Sequence, residues 1–151
     1  MHIVLVEPEI PGNTGNIARL CAATASRLHL VKPLGFSLED RYLKRAGLDY
    51  WHLVDVVCHE DFASVEAELA GHTFYYGTTK TTRSYSQIAY KADDVLVFGK
   101  ETAGLPETLL AENSERCITI PMRKGARSLN LSNSVAIVLY EALRQTGFSG
   151  C

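Results

Sequence analysis

The sequence predicts an α/β fold in which a mostly parallel sheet is covered by helices on both faces. Short apolar runs of strand length alternate along the chain with segments whose apolar residues recur at helical spacing. Strands that alternate with helices in this way are joined by crossover connections, and they therefore lie parallel in the sheet. The length of 151 residues matches one domain, which we expect to span residues 1–151.

The N-terminal half begins with a strand over residues 2–6, a short apolar run that ends at Glu7 and Pro8. Asn13 or Thr14 is expected to cap the helix that follows, because short polar side chains accept hydrogen bonds from the first amides of a helix. That helix is predicted to end near residue 25. The other elements of this half are a strand over residues 28–31, a helix over residues 38–45 capped by Ser37, a strand over residues 53–58 and a helix over residues 62–69.

The C-terminal half continues the alternation. We predict strands over residues 73–79, 95–99 and 117–120, a short helix that begins at Pro106, and a final helix over residues 131–144. In sheets of this kind, ligands bind in the loops beyond the carboxyl ends of the strands. The loops after residues 6, 99 and 120 are unusually rich in Gly, Asn and Ser, so they form the candidate site.

Composition excludes several classes of protein. Hydrophobic residues make up 46% of the chain and charged residues 21%, which is typical of a globular protein and not of a disordered one. No apolar run is long enough to cross a bilayer, and the N-terminus lacks the basic region of a signal peptide. The four cysteines form no CxxC pair and the histidines do not cluster with them, so we expect free thiols in a reducing cytoplasm and no metal site.

The charge of the chain gives a weak signal for nucleic-acid binding. The net charge is −2, whereas many nucleic-acid-binding domains are strongly basic. Basic residues nevertheless form local clusters, and for any single cluster solvated surface charge is a better interpretation than RNA contact. The clusters are Arg41, Lys44 and Arg45; Lys80 with Arg83; and Arg123 and Lys124 with Arg127.

The first loop combines residues that suit close contact with a polar ligand. Glycines allow the backbone to approach a ligand, asparagine amides donate and accept hydrogen bonds, and a guanidinium binds phosphate through paired donors. From spacing alone, however, asparagines that cap a helix and an arginine that faces solvent are the better interpretation. These residues are Gly12, Gly15, Asn13, Asn16 and Arg19.

The second loop, residues 98–106, has glycines near both ends. Gly99 and Gly104 allow a tight turn whose amides could face an adenine or a ribose. A plain connection from strand to helix, with Pro106 at the first helical position, accounts for the composition equally well.

The third loop carries five small polar residues within seven positions. One residue is enough to cap the final helix, so we predict that most of the five bond a ligand or another backbone segment. They are Ser128, Asn130, Ser132, Asn133 and Ser134. No serine or cysteine lies in a nucleophile-elbow setting, which disfavours covalent hydrolytic catalysis.

Taken together and in this order, the loops resemble the SPOUT class of RNA methyltransferases, and within it the subgroup of tRNA (cytidine/uridine-34)-2′-O-methyltransferases. The resemblance extends over essentially the whole chain. It rests on EPEIPGNTGNIARLCAAT (7–24), KRAGLDYWHL (44–53), GTTK (77–80), FGKETAGLP (98–106), and IPM (120–122) with RSLNLSNSVAIVLYEALRQ (127–145).

The resemblance implies a fold, a cofactor and an assembly. The C-terminal part would form a deep trefoil knot that holds S-adenosyl-L-methionine (SAM), which becomes S-adenosyl-L-homocysteine. The protein would act as a homodimer through its first and last helices, with Tyr140 at the interface. No metal and no membrane would be involved, and the protein would be cytoplasmic. The cofactor contacts would be Gly77, Gly99, Ile120, Ser128 and Leu129.

The resemblance also implies a division of catalytic roles. Arg19 would reach the site from the partner subunit. A guanidinium stays protonated near neutral pH, so we expect it to bind the adjacent phosphate and stabilise the developing alkoxide more than to accept the proton. Asn16, Ser128 and Asn130 would orient the ribose or Arg19. Basic residues would flank the cleft and bind the anticodon loop of tRNA: Arg41, Lys44, Arg45, Lys80, Arg83 and Arg123.

Two other functions remain open from the sequence. One is 2′-O-methylation of a different RNA, such as rRNA. The other is a nucleotide-binding module without catalysis, which would not need Arg19. By resemblance, the substrates would be leucine tRNAs at the wobble nucleotide.

Overall fold

The computed structural model describes residues 1–39, 41, 45 and 51–151. Within these residues, six strands form one sheet in the order β3-β2-β1-β5-β4-β6, and every pair is parallel. The strands are β1 (His2–Val6), β2 (Arg27–Val31), β3 (Val56–His59), β4 (Phe74–Gly77), β5 (Val95–Phe98) and β6 (Cys117–Ile118). The α-helices whose bounds fall within the described residues are α1 (Pro11–Ala23), α2 (Phe62–Glu68), α3 (Glu107–Glu112) and α4 (Leu131–Gln145).

The two most central strands are the most apolar, as the continuous hydrophobic runs predicted. In β1, Ile3 lies opposite Leu28 of β2 on one side and Leu96 of β5 on the other, and all three side chains are fully buried. A strand without a polar face is stable only where both faces are covered. The prediction of a mostly parallel sheet is therefore confirmed.

Each face of the sheet has its own core. On one face, α1 and α4 cover the sheet, with Ile17 and Leu139 packed in the same cluster as Leu5. On the other face, α2 and α3 contribute Val65 and Leu110 to a second cluster. Helices therefore lie on both faces of the sheet, and α1 and α4 lie side by side. None of the described helices is long and apolar enough to cross a membrane.

The prediction that Asn13 or Thr14 caps the first helix is wrong. Helix α1 begins at Pro11, and Ile10 is its N-cap residue without a side-chain cap. Proline suits this first position because its φ is already helical and the missing amide would have no partner there. Asn13 and Thr14 consequently lie inside the helix and are buried.

Other predicted bounds shift by a few residues. The strand predicted over residues 53–58 is found as Val56–His59, because Leu53 lies in a 3₁₀ turn (Trp51–Leu53) and pairing with β2 starts only at Val56. The strands predicted over residues 73–79 and 117–120 are shorter, and Thr119 continues only as a bridge to Ser84. Of the helix predicted over residues 38–45, Arg41 and Arg45 are helical, and most of its remaining residues lie outside the described ones.

Candidate active site

A cleft of about 600 Å³ lies at the carboxyl ends of β4, β5 and β6. All three candidate loops line it, and its volume is within the range of pockets that take a small-molecule ligand. Apolar side chains of Phe98, Leu105 and Val138 form part of the wall, together with polar residues from the loops.

The residues predicted to bind the cofactor all lie in the lining of this cleft. Gly77 ends β4, and Gly99 directly follows β5. Ile120 comes two residues after β6, and Ser128 and Leu129 precede α4. Stretches from three distant parts of the sequence therefore meet here, as parallel strands with a common carboxyl edge require.

The second loop is a tight turn that only glycine permits at Gly99. A Cβ on Gly99 would lie 2.1 Å from the backbone carbonyl carbon of Gly104 and 2.2 Å from the nitrogen of Leu105. The amide of Gly104 donates to the carbonyl oxygen of Lys100 at 2.9 Å, and the φ of +70° at Gly104 is in the left-handed region. The two ends of the loop therefore pack closely together, and their backbone forms part of the cleft wall.

Glu101 in this loop binds the segment that leads into α1, a role that sequence reasoning did not find. Its carboxylate accepts hydrogen bonds from the amides of Glu9 and Ile10, at 2.8 and 3.1 Å, and from the side-chain amide of Asn13 at 3.1 Å. A negative charge beside the N-terminus of a helix is favourable because it interacts with the helix dipole. Glu9 in turn accepts from the backbone amide and hydroxyl of Thr102, at 3.0 and 2.9 Å.

Asn13 and Asn130 connect the first loop to the third. The side-chain amide of Asn130 donates to Oδ1 of Asn13 at 3.0 Å, while Asn13 donates to Glu101. Oδ1 of Asn130 also caps α4 by accepting from the amides of Ser132 and Asn133. One hydrogen-bonded line of side chains thus fixes the three loops relative to one another.

The prediction that most of the five polar residues in the third loop bond a ligand or another segment is wrong for two of them. The hydroxyls of Ser132 and Ser134 donate to Oδ1 and to the carbonyl oxygen of Asn130, so they belong to the cap of α4. The amide of Asn130 does reach another segment, and Ser128 is exposed at the cleft. Helix capping uses more of these groups than predicted, because the two serine hydroxyls bond to the capping residue Asn130 itself.

A second link between the first two loops is an ion pair. The ammonium of Lys100 lies 2.7 Å from Oε2 of Glu7, and both side chains are half-buried. The hydrogen bond from Lys100 to Glu7 raises the pKa of Lys100. Glu7, which directly follows β1, has a φ of +52°, and this conformation costs a residue other than glycine roughly 1–2 kcal/mol. The contacts around Glu7 therefore hold its backbone in this conformation.

Two of the four predicted catalytic residues lie in the cleft and two do not. Ser128 and Asn130 line it. Arg19 and Asn16 are exposed on one face of α1, three residues apart, and neither lines the cleft of its own chain.

The predicted basic residues are distributed unevenly around the cleft. Lys80 lines it and pairs with Glu107 at 2.8 Å, and Arg127 lines it as well. Arg83 lies outside the lining and donates to the carbonyl oxygen of Glu115. Arg123 is exposed beside the lining residue Met122. Arg41 and Arg45 are exposed, and Lys44 lies outside the described residues.

The comparison with protein families identifies the family of this chain. The model of the SpoU rRNA methylase family matches residues 1–140. The chain belongs to the SpoU methylase family. It is therefore a methyltransferase, as the sequence predicted.

Relatives of known activity resemble this SpoU methylase over its whole length. The tRNA (cytidine(34)-2′-O)-methyltransferase of Methylovorus glucosotrophus is 55% identical over 149 residues, which cover 98% of this chain and 97% of the relative. The enzyme of the same name from Escherichia coli K12 is 51% identical over 152 residues, covering 99% of this chain and 96% of the relative. Both names agree with the predicted reaction.

Solved structures agree as well. A structure that concerns the 2-OH methylation of C/U34 on tRNA superposes with a TM-score of 0.91 at 44% identity, covering 95% of this chain and 94% of that chain. The AdoMet-bound rRNA methyltransferase from Sinorhizobium meliloti superposes with a TM-score of 0.84 at 27% identity, covering 95% of this chain and 55% of that one. The predicted SPOUT fold class is confirmed, whereas the trefoil knot stays a prediction.

Proposed function

We propose that this SpoU methylase transfers a methyl group from SAM to the ribose 2′-hydroxyl of nucleotide 34 of tRNA, a cytidine or uridine derivative, and releases S-adenosyl-L-homocysteine. The observation that carries the proposal is the convergence of the three loops on one cleft whose lining includes all five predicted cofactor contacts. The named activity of the full-length relatives supports the choice of tRNA over rRNA. Leucine tRNAs remain the predicted substrates.

The volume and the lining of the cleft support the assignment of SAM as the cofactor. Its apolar wall suits an adenine ring, and the polar groups of Thr78, Ser128 and Asn130 suit a ribose and an amino acid moiety. Gly77 and Gly99 allow parts of the lining to pack closely, since a Cβ would lie 2.8 Å from the ring of Phe98 at Gly77 and 2.1 Å from the carbonyl carbon of Gly104 at Gly99. When bound, SAM supplies an electrophilic methyl group on a sulfonium, and the protein contributes position and electrostatics.

The residues of the chain would act on the ribose hydroxyl. Its proton must leave as the oxygen attacks, and a guanidinium beside it stabilises the negative charge that develops. We assign this role to Arg19, with Asn16 on the same helix face and with Ser128 and Asn130 in the cleft as orienting groups. Arg19 would also bind the neighbouring phosphate through its paired donors.

Because Arg19 does not line its own cleft, the proposal requires a second subunit. The surfaces of α1 and α4 would form the interface of a homodimer. Large apolar side chains are exposed beside these helices: Ile10, at 49%, precedes α1, Tyr140, at 46%, lies on α4, and Phe148, at 43%, follows α4. Exposed groups of this kind mark interaction surfaces when they occur together.

The RNA would approach the rim of the cleft where Lys80 and Arg127 lie, with the anticodon loop spanning both subunits. Phosphates neutralised by these groups release counterions, so tRNA affinity should fall as salt rises. The proposal places the enzyme in the cytoplasm, where its exposed Cys58 and Cys151 would stay reduced.

The test compares methyl transfer by the parent and by Arg19→Ala, using labelled SAM with total tRNA, with rRNA, and with tRNA that lacks the 2′-hydroxyl at nucleotide 34. Arg19→Ala should lower kcat about 10²–10³-fold, the usual effect of removing one donor to a developing oxyanion, and leave SAM affinity unchanged. Arg116→Ala, at another exposed arginine, is the matched control and should keep full activity. Label in rRNA alone, label in the 2′-deoxy substrate, or full turnover by Arg19→Ala would contradict the proposal.

A further inference from the structure

Histidines from three neighbouring strands lie in contact on the sheet face covered by α2. His2 at the start of β1, His29 in the middle of β2 and His59 at the end of β3 follow a diagonal across the sheet. Nδ1 of His2 is 3.1 Å from Nε2 of His29, and Nδ1 of His29 is 3.0 Å from Nε2 of His59. The cleft lining contains none of these residues.

We propose that His29, His59 and Glu68 form a binding site for a divalent transition-metal ion such as Zn²⁺. Nε2 of His59 lies 3.8 Å from Oε2 of Glu68 at the end of α2, and the three candidate ligand atoms all lie within 4.8 Å of one another. Zinc binds imidazole nitrogen at about 2.0–2.1 Å and carboxylate oxygen at about 2.0–2.2 Å, so two of its ligands lie roughly 3–4 Å apart. A small movement of the half-exposed Glu68 brings the third ligand within reach.

The donor set is suited to such an ion. Two imidazoles and one carboxylate are ligands that Zn²⁺ accepts, and a water can complete the tetrahedron. His29 is fully buried and His59 is 5% exposed, so their facing nitrogens are shielded from water. One oxygen of Glu68 pairs with Arg27 at 3.2 Å, which leaves Oε2 directed at His59.

The groups around the proposed ligands orient them, as the outer hydrogen-bond partners of metal ligands commonly do. The other ring nitrogen of His29 is within hydrogen-bond distance of His2, and a ligating histidine commonly donates its second N–H in this way. A bound ion would tie β2, β3 and α2 together, so we expect it to stabilise the fold.

The experiment is a titration of the full-length, chelator-treated protein with Zn²⁺, followed by calorimetry and by thermal unfolding. It uses a Cys58→Ser/Cys151→Ser background, because both thiols are exposed and could bind the metal themselves. We expect one ion per chain and an unfolding temperature that rises with Zn²⁺. Glu68→Gln should weaken binding at least about tenfold, since even the loss of an outer partner has an effect of that size.

Two control variants distinguish binding at this site from binding elsewhere on the surface. Asp55→Asn removes the other carboxylate that pairs with Arg27, at 2.8 Å, without touching a proposed ligand. His52→Gln removes an exposed histidine outside the cluster. Both should bind Zn²⁺ as the background does, whereas His59→Gln should not bind it. Absence of saturable binding, or equal affinity in Glu68→Gln and the background, would overturn the proposal even if His59→Gln failed to fold.

Discussion

Single side chains determine how the candidate site is assembled. The side chain of Asn13 accepts a hydrogen bond from Asn130 and donates one to Glu101. One amide group therefore links residues that are 117 and 88 positions away in sequence. The sequence identified Asn13 only as a polar residue in a glycine-containing loop. Its partners could not be predicted, because the pairing depends on which strands share an edge.

Glu101 should contribute measurably to stability through α1. Glu101→Gln keeps the shape of the side chain but removes the charge and one of the two acceptor oxygens that receive the amides of Glu9 and Ile10. Hydrogen bonds to charged groups contribute about 1.5–3 kcal/mol, so the free energy of unfolding should fall by about that amount, as measured by urea denaturation. Glu107→Gln breaks only the exposed pair with Lys80 and should lower stability much less, because solvent screens an exposed ion pair. Equal losses in the two variants would contradict this role.

At the scale of elements, the sequence predicted which segments are strands or helices better than where they begin. Apolar runs mark β1 and β5 because burial on both faces requires continuous apolar residues. The start of β3 depends on β2, with which it pairs only from Val56 onward. Likewise, α1 begins at Pro11, where proline suits the first helical position, and a carboxylate from the second loop binds the amides of Glu9 and Ile10 just before it.

The last turns of α4 should make the fold sensitive to acid. Hydrogen bonds from Arg144 and Gln145 lower the pKa of Glu141 to about 2. Gln145 also donates to the carbonyl oxygen of Ile88 and accepts from the amide of Tyr90, so this turn fastens the segment before β5.

A carboxyl whose folded pKa lies below its unfolded value, about 4.3, stabilises the protein above that value, and the contribution is lost as pH falls toward 2. Glu141→Gln should therefore be less stable than the parent at pH 7, and the difference should shrink between pH 5 and pH 3. Urea denaturation at pH 7, pH 5 and pH 3 measures this difference in the free energy of unfolding. Glu112→Gln, at an exposed residue of α3, is the control. A difference that stayed constant with pH would show that the charge of Glu141 does not stabilise this turn.

The C-terminal end of α1 offers a stabilising substitution. Ala25 has a φ of +50° just beyond the C-cap Thr24, and the amide of Ser26 donates to the carbonyl oxygen of Cys21 at 2.9 Å. Glycine is preferred at this position because it has no Cβ to crowd the left-handed backbone. Ala25→Gly should raise the free energy of unfolding by about 0.5–1 kcal/mol, after the extra entropy of the unfolded chain is subtracted.

The matched control for Ala25→Gly is Ala23→Gly in the last turn of the same helix. Ala23 is exposed and helical, so glycine there should lower stability by up to about 1 kcal/mol. Chemical denaturation of both variants tests the difference in sign. A loss of stability at both positions would mean that the backbone at residue 25 is not strained.

At the scale of the whole molecule, parallel topology made the location of the site predictable. Once β1, β5 and β6 are parallel, the loops after them share one edge, and the glycines and small polar residues in them could be identified directly. The histidine cluster could not be found in this way. His29 and His59 meet through a diagonal in the strand register, and their spacing of 30 residues has no pattern of its own.

The assembly itself can be tested with two defective variants. In the proposed dimer, each site combines the cleft of one subunit with Arg19 of the other. Arg19→Ala leaves the cleft intact, and Gly99→Ala should prevent SAM binding, because its Cβ would lie 2.1 Å from the backbone of Gly104. Gly99→Ala alone should be inactive, and Arg19→Ala alone should keep at most about a hundredth of the parent activity.

Mixing the two variants should restore activity if the sites are shared between subunits. A mixed dimer has one complete site, formed by the cleft of the Arg19→Ala subunit and Arg19 of the Gly99→Ala subunit. With equal amounts and free exchange, half of the dimers are mixed, so activity should recover to about a quarter of the parent value in a two-fold symmetric assembly. Ser128→Trp, which fills the cleft from its exposed rim, provides a second partner in case Gly99→Ala folds poorly. If neither mixture gains activity although mixed dimers are isolated, then Arg19 acts within its own subunit or takes no part in the reaction.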